Sequence, residues 1–268
     1  MRARRILPLV LLTVPATALA HDLFLKLESF FVPPNRPARV TVINGTFTTS
    51  ENAIVRSRIA DLSVVGPAGR TTLDSSALVP LTNRSRITVP VGGPGTYVAA
   101  LSIRPNEIEL TGEEFRAYLA AEGLDAVIEA RRAAGTLDRA VKERYAKHVK
   151  AVFRAARAGG EGWSTVFGYP VEIVPLADPY TLKRGDTLRV RLLVAGRPAP
   201  AGTVLLAGGR NQAGTRLQVQ RLASDAEGSA AIVLRSTGTW YAKFIHMTPG
   251  SGGADYVSEW ATLTWAVR

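Results

Sequence analysis

Apolar and polar residues alternate in short runs through most of the chain, and turn residues end each run. Leu23, Leu25 and Leu27 alternate with polar and aromatic neighbours, which predicts a first strand with two partly apolar faces. Further strand candidates before about Leu110 are separated by Asn-Gly, Pro-Ala-Gly and Gly-Gly-Pro-Gly turns. They are ARVTVI, SRIADLSVV, SRITVPV and GTYVAALSI. Short strands at this spacing predict a β-sandwich.

The periodicity changes at Thr111. Thr111 and Glu114 have the spacing of a capping box, in which the hydroxyl and the carboxylate satisfy free amides at a helix start. We therefore expect a helical stretch from there to about Ala158, closed by the following glycines. Its last part has an apolar stripe at helical spacing, formed by Val141, Tyr145, Val149, Val152 and Ala156. The basic residues between them predict a solvated face, with an anion site as the alternative; they are Lys142, Lys147, Lys150, Arg154 and Arg157.

Strand patterns return after residue 168 and partly repeat those of the first half. A Gly-Thr-aromatic sequence occurs at the same point in two segments, ITVPVGGPGTYVAAL and IVLRSTGTWYAKF. Gly238 in the second segment corresponds to Gly95 in the first, 143 residues earlier. The pattern predicts a mostly β protein with two β-sandwich domains of immunoglobulin or transthyretin type. We place them at residues 21–110 and 169–268, with a helical insertion and linker at 111–168.

The first 20 residues have the three parts of a secretory signal peptide. MRARR is basic, ILPLVLLTVPATALA is apolar, and Ala18-Leu19-Ala20 is a small-x-small cleavage site. The alternative, an uncleaved anchor, needs a longer apolar stretch. Later segments are too short to span a membrane. Cleavage between Ala20 and His21 predicts a soluble periplasmic or secreted protein.

The composition of the chain excludes several kinds of binding and catalytic site. The chain of 268 residues has no Cys, which excludes disulfides and thiolate metal sites. Three of its 33 basic residues lie in the first 20 positions, which leaves 30 against 22 acidic residues, a net charge of +8. Export makes nucleic acid an unsuitable partner for this charge, whereas anionic envelope surfaces remain possible. The common hydrolase, P-loop and dinucleotide motifs are missing from the sequence.

Five segments resemble the exported DUF4198 family over essentially the whole mature chain. They are HDLFL, GYPVEIVPLADP, the turn around SDAEG, GTWYAKFIHM and EWATLTW. The resemblance implies two β-sandwich-like domains. Some members are associated with nickel or cobalt uptake as periplasmic accessory proteins, which implies a metal role and a membrane transport component as a partner.

His21 is a candidate metal ligand because cleavage would make it the amino terminus. Its α-amine has an ordinary pKa of about 7.7 to 8, so the amine can bind a metal beside its own imidazole. A second imidazole would complete a three-nitrogen histidine brace, which suits Cu(II) or Ni(II). Alternatively, His21 is only the first residue after the cleavage point.

His246 is the preferred second ligand, because it lies at the end of a predicted strand beside a glycine-rich loop. It could equally be a rim histidine bound to a loop carbonyl. His148 is better explained as a packed or surface residue. Met247 is the only methionine after Met1, which argues against a Met-rich Cu(I) carrier. Oxygen ligands without diagnostic spacing are Asp22, Glu172, Asp255 and Glu259.

The preferred hypothesis is an exported accessory protein that binds nickel, cobalt or copper for envelope metal uptake or homeostasis. Its proposed ligands are His21 and His246. One alternative is a non-catalytic module that binds a protein or an envelope polymer without metal. The other is a histidine-brace copper oxidase or oxygenase. Such an enzyme needs a substrate surface, but its candidate aromatic residues are better explained as sandwich core. They are Trp240, Tyr241, Trp260 and Trp265.

Overall fold

The computed structural model describes residues 21–156 and 159–268. The predicted signal peptide, residues 1–20, lies outside the described residues. The described residues form seventeen strands and two α-helices, so the protein is mostly β as predicted. No helix among these residues is long and apolar enough to cross a membrane.

The elements follow one another in a strand-rich order. The first part contains β1 Asp22–Leu27, β2 Phe31–Val32, β3 Ala38–Gly45, β4 Ile59–Gly66, β5 Gly69–Thr72, β6 Leu78–Pro80, β7 Ser85–Val89 and β8 Gly95–Leu110. Helices α1 Gly112–Glu122 and α2 Asp125–Ala133 come next, followed by β9 Val141–Ala155. The last part contains β10 Val171–Pro175, β11 Thr187–Val194, β12 Arg197–Pro198, β13 Val204–Asn211, β14 Gln220–Ala223, β15 Ser229–Val233, β16 Gly238–Pro249 and β17 Tyr256–Val267. Short 3₁₀ turns lie at Arg56–Arg58, Ser75–Ala77 and Glu161–Ser164.

The strands form one large sheet and two smaller ones. The large sheet has the order β14-β13-β16-β17-β9-β8-β4-β5, with β2 beside the end of β9. The first small sheet has the order β1-β3-β7-β6. In the second, β10 lies on one side of β11, and β12 and β15 lie on the other side. Strand β9 pairs with β8 antiparallel and with β17 parallel, so the large sheet runs through both halves of the chain.

The large sheet is the middle of three layers. Along β8, Ala99 and Leu101 belong to a core shared with the first small sheet, whereas Val98 and Ala100 belong to a core shared with the second. This follows from the two-residue side-chain period of a strand. Phe153 is fully buried in the first core and Trp240 almost fully buried in the second. Burial of each such side chain contributes roughly 1.5–3 kcal/mol to folding.

The predicted helical insertion is helical only in its first part. Thr111 Oγ1 accepts a hydrogen bond from the Glu114 amide at 3.2 Å, and Glu114 Oε2 accepts one from the Thr111 amide at 2.9 Å, which confirms the capping box. The expectation of a helix through about Ala158 is wrong, since residues 141–155 form β9. Because both faces of β9 are covered, its buried residues form a nearly continuous run that also satisfies helical spacing.

The prediction that the basic residues of this segment are solvated is wrong for three of them. Lys147, Lys150 and Arg154 are 4%, 2% and 8% exposed. These side chains are buried in the middle sheet, and each binds a partner from another part of the chain. Lys150 Nζ, for example, lies 2.9 Å from Glu172 Oε2.

Candidate functional site

A cavity of about 580 Å³ lies where the first small sheet, helix α1 and strands β13 and β16 meet. This volume falls within the range of small-molecule sites. Its lining includes two kinds of residue. The residues around the ring and carboxylates are His21, Asp22, Glu51, Tyr118 and Glu122, and the aromatic, cationic and small residues include Phe24, Phe47, Thr48, Arg210, Arg216, Val219 and Tyr241. Lys243 also lines it.

His21 lies directly before β1 and is held at both its backbone and its ring. The Lys147 ammonium donates a hydrogen bond to the His21 carbonyl. His21 Nε2 lies 2.5 Å from Glu51 Oε2. Because an ionised carboxylate only accepts, this contact places a proton on Nε2 and leaves the Nδ1 lone pair available when the ring is neutral.

Lys243 binds two carboxylates beside His21. Its Nζ lies 2.7 Å from Asp22 Oδ2 and 2.7 Å from Glu122 Oε1. Burial lowers the pKa of Lys243, but the charges of Asp22 and Glu122 outweigh this effect and leave that pKa above its ordinary value. Burial and the neighbouring charge of Asp22 raise the pKa of Glu122. The other oxygen of Asp22, Oδ1, is buried and has no hydrogen-bond partner among the described residues.

Lys147 supplies a second buried amine beside His21. Its Nζ lies 5.1 Å from the ring centroids of both Tyr145 and Trp260, in addition to its bond to the His21 carbonyl. Burial lowers the pKa of Lys147 to about 8. The surroundings of His21 therefore combine carboxylates with two amines in a partly enclosed space.

Aromatic and cationic side chains lie beside these groups. The Phe24 ring centroid lies 5.2 Å from those of Phe47 and Tyr241, which are 4.8 Å from each other. Lys26 Nζ lies 4.9 Å from the Phe47 centroid. Arg210 donates hydrogen bonds to the Gly214 carbonyl and to Thr48 Oγ1.

The structure does not bring His21 and His246 together. Along β16, Lys243 faces Asp22, whereas Phe244 packs in the core on the opposite side of the large sheet. The two-residue period of the strand therefore puts His246 on the side of Phe244, away from His21. There it is the direct cross-strand neighbour of Glu259.

His148 lies on that same opposite side and is 4% exposed. Its Nε2 lies 2.7 Å from Glu259 Oε2, and its Nδ1 lies 2.9 Å from Ser102 Oγ. Both ring nitrogens are thus engaged by protein groups. His148 is a packed histidine of strand β9, not a residue on a helix.

The other residues that the sequence analysis named are held by hydrogen bonds or ion pairs or lie in the core, with Tyr241 in the lining of the cavity. Glu172 accepts hydrogen bonds from the amides of Phe167, Gly168 and Tyr169 and pairs with Lys150. Asp255 Oδ2 accepts one from the Lys142 amide. Trp240, Trp260 and Trp265 are buried, and Tyr241 lines the cavity. Among residues 21–156 and 159–268, no group of three or more His, Asp or Glu side chains is arranged to hold a metal ion.

The sequence pattern missed Glu51, Glu122, Lys147 and Lys243 as members of this site. Glu51 follows a turn, and Glu122 is the last residue of α1. Lys243 gave the one available signal, because a lysine stands inside the otherwise apolar strand TWYAKFIHM. A charge at such a position requires a buried partner.

Comparison with known proteins identifies the family of this chain. The family model described as "Domain of unknown function (DUF4198)" matches residues 18–248. No curated protein matches the chain. Similar solved structures include a tetra-tandem repeat in the extending region of a large adhesion protein, with 11% identity and a TM-score of 0.22 over 92% of this chain and 49% of that one. The chain thus spans about half the length of that protein.

Two other similar structures are the D0-D1 domain of intimin and trypsin-activated alpha-2-macroglobulin from Escherichia coli. Intimin has 8% identity and a TM-score of 0.22, over 91% of this chain and 97% of that one. The macroglobulin has 11% identity and a TM-score of 0.23, over 93% of this chain and 16% of that one.

Proposed function

This chain belongs to the DUF4198 family, whose function is unknown, and we propose from the surroundings of His21 that it is an exported protein that binds a divalent transition metal ion. Cleavage after Ala20 would turn the His21 amide into a free amine at the edge of the cavity. The metal would be copper, nickel or cobalt. The protein would serve metal uptake or homeostasis in the envelope and deliver its metal to a membrane transport component.

The contact between His21 and Glu51 is the observation that carries this proposal. A carboxylate bound to one imidazole nitrogen fixes the ring orientation and leaves the other nitrogen to the metal, as in many protein metal sites. With Glu51 on Nε2, Nδ1 of His21 and, after cleavage, its amine would be free to chelate one ion. Nitrogen pairs of this kind suit Cu(II) and Ni(II).

Asp22, the next residue along the chain, supplies an oxygen donor. Its Oδ1 is buried and has no hydrogen-bond partner among the described residues, which is costly for a carboxylate oxygen. A metal ion bound at His21 would give this oxygen a partner. The residues present thus fit a site with nitrogen and oxygen donors.

His246 remains a proposed ligand at a separate location, on the other side of the large sheet. It would act there with Glu259, its cross-strand neighbour. The Glu259 carboxylate is already bound by His148, so this second location has fewer unengaged donors than the first.

We also propose that the two halves are related sandwich units that share the large sheet. The strand order β1-β3-β7 in the first small sheet corresponds to β10-β11-β15 in the second. In the large sheet, β9 and β17 are neighbours, and the two strands that start with Gly-Thr-aromatic flank them, β8 beside β9 and β16 beside β17. Helices α1 and α2 then occupy the β8–β9 connection, where the second unit has only residues 250–255 between β16 and β17. Strand β9 belongs to the first unit in this arrangement.

Isothermal titration with Ni(II), Cu(II) and Co(II) tests the metal site, on protein whose amino terminus mass spectrometry has identified as His21. We expect the affinity of the first ion to fall at least about tenfold in His21→Ala. The same loss should follow when one glycine is inserted before His21, because the insertion keeps the ring but removes its amine. Glu51→Gln should weaken binding by about 10–100-fold, as loss of an orienting partner does.

Two controls make the outcome specific. Glu28→Gln changes an exposed carboxylate after β1 that takes no part in the cavity, and it should bind metal as the natural protein does. His246→Ala tests the second location, and unchanged binding in that variant would remove His246 from the proposal. Unchanged binding in both His21→Ala and the glycine insertion would refute the His21 site.

A further inference from the structure

The outer face of strands β3, β6 and β7 carries arginines but no carboxylate. Side chains alternate along β3 and β7, so Arg39 and Arg86 point away from the core that Val40 and Ile87 fill. Arg84, which precedes β7, is exposed as well. The three strands contain no acidic residue, and none of the three arginines forms an ion pair with another described residue. This face therefore holds positive charge that the folded chain leaves unpaired.

The register of the strands places these cations close together. Arg39 is the direct partner of Thr88, and Arg86 stands two residues before Thr88 on β7. Residues in this diagonal relation lie about 7–8 Å apart. Arg84 ends the turn between β6 and β7, in which the Leu81 amide donates a hydrogen bond to the Arg84 carbonyl at 2.8 Å. The three guanidinium groups can thus reach one surface of closely spaced anions.

Exposed apolar side chains lie beside the same arginines. Val79 and Leu81 are 37% and 39% exposed. Val79 is the direct cross-strand partner of Arg86, and Leu81 begins the turn that Arg84 ends. Single exposed apolar residues are ordinary on a protein surface, but apolar groups with a cationic rim are typical of an interaction site. The edge of the sheet at β6 and β7 combines both.

From this juxtaposition we propose that the β6–β7 edge of the first small sheet docks on a membrane surface of anionic phospholipids. The phosphate groups would receive the guanidinium groups of Arg39, Arg84 and Arg86. Val79 and Leu81 would enter the apolar layer just below the phosphates. This docking surface is separate from the proposed metal site, because the cavity lies at the opposite edge of the sheet, beside β1.

A bilayer surface matches both properties of this edge. A soluble polyanion would neutralise the arginines but would leave Val79 and Leu81 in water. An apolar protein surface would cover these two side chains but would leave the guanidinium groups without anions. The outer face of the second small sheet is less suitable, since Arg189 already pairs there with Asp225.

Co-sedimentation with vesicles tests the proposal. The protein should be metal-free and begin at His21, so that the apolar segment before His21 takes no part. Vesicles of phosphatidylcholine with about 25 mol% phosphatidylglycerol should bind it at least about tenfold more tightly than vesicles of phosphatidylcholine alone. Salt at about 1 M should remove most of this difference, because the screening length is then about 3 Å. His21→Ala should bind the vesicles as the natural protein does, which separates this result from the metal titration.

Two matched pairs of arginines locate the docking surface. Arg84→Gln with Arg86→Gln should weaken binding to the anionic vesicles at least about tenfold, since each arginine near such a surface contributes about fivefold. Arg189→Gln with Arg191→Gln has the same spacing and exposure in the second small sheet and should change binding by less than about twofold. Arg39→Gln alone, with a loss of about fivefold, serves if the first pair does not fold.

The apolar contribution needs its own variants. Val79→Thr with Leu81→Ser should weaken binding to the anionic vesicles at least about threefold, because both side chains leave an apolar environment. Val233→Thr is the control, since Val233 is also 37% exposed but lies on β15 of the second small sheet. Its binding should equal that of the natural protein.

The proposal fails if the two kinds of vesicle bind the protein equally or if neither binds it. It also fails if the two arginine pairs lose the same amount of binding, since the charge of the whole protein would then explain the attraction. Unchanged binding in Val79→Thr with Leu81→Ser would exclude insertion into a bilayer and would favour a soluble polyanion as the partner.

Discussion

Lys150 and Glu172 form an ion pair between strand β9 and the second small sheet. Their side chains are 3% and 2% exposed, and Lys150 Nζ lies 2.9 Å from Glu172 Oε2. Burial lowers the pKa of Lys150, and the charge of Glu172 opposes this effect. Glu172 also accepts hydrogen bonds from the three consecutive amides that begin at Phe167. The pair thus fixes the loop before β10 against the middle sheet.

Lys150→Met introduces an apolar side chain of similar length and removes the ammonium, together with its hydrogen bonds to Glu172 and to the Thr165 carbonyl. It leaves Glu172 buried without its cation, a change that costs about 3–5 kcal/mol in other proteins. The three backbone amides remain, so we expect the lower part of that range. For a protein of this length the midpoint of thermal unfolding should fall by about 10 °C. Urea unfolding followed by circular dichroism measures the free energy directly.

Two comparisons test whether the loss comes from the unpaired carboxylate. Lys150→Met with Glu172→Gln should recover part of the stability, because the amide oxygen of Gln can still accept hydrogen bonds and carries no charge. Arg189→Gln breaks the exposed pair between Arg189 and Asp225 and should change stability by less than about 1 kcal/mol. A cost for Lys150→Met as small as that of Arg189→Gln would refute the reasoning.

Two further predictions concern stability. Burial raises the pKa of Glu143, whose Oε1 accepts hydrogen bonds from Tyr118 and Ser258. The folded protein therefore holds this proton to higher pH than the unfolded chain, so stability falls as pH rises from about 4.5 through the folded pKa. Glu143→Gln should flatten this dependence in urea titrations at several pH values, and an identical profile would contradict it. Thr111→Ala should lower the free energy of unfolding by about 1 kcal/mol in the same assay, because it removes the cap of α1. Thr111→Ser keeps the hydroxyl and should keep the stability. Equal losses in both variants would exclude capping as the cause.

Features that depend on neighbouring residues were predictable from the sequence. The capping box at Thr111 and Glu114 needs only two residues three positions apart, and the structure has it. The strands and turns around β3, β4, β7 and β8 follow from alternation and from turn residues in the same way. The mostly β character of the chain rests on these local signals.

Strand β9 was not predictable by the same means, because its environment comes from elsewhere in the chain. Val149 and Phe153 pack against the first small sheet, and Val152 packs against the second. A strand that is covered on both faces does not alternate, and its apolar positions then match helical spacing by coincidence. The pairings with β8 and with β17, the latter more than 100 residues later, distinguish the two structures.

The candidate site was hidden for a related reason. Basic residues along 141–155 predict a solvated face if the segment is a helix, but on β9 they reach buried partners. Lys147 binds the His21 carbonyl, and Arg154 pairs with Asp178, 24 residues away along the chain. Lys147 thus holds the residue that would become the amino terminus beside Glu51 and Asp22. The basic residues of β9 therefore act as internal anchors, and one of them positions the segment on which the proposed metal site depends.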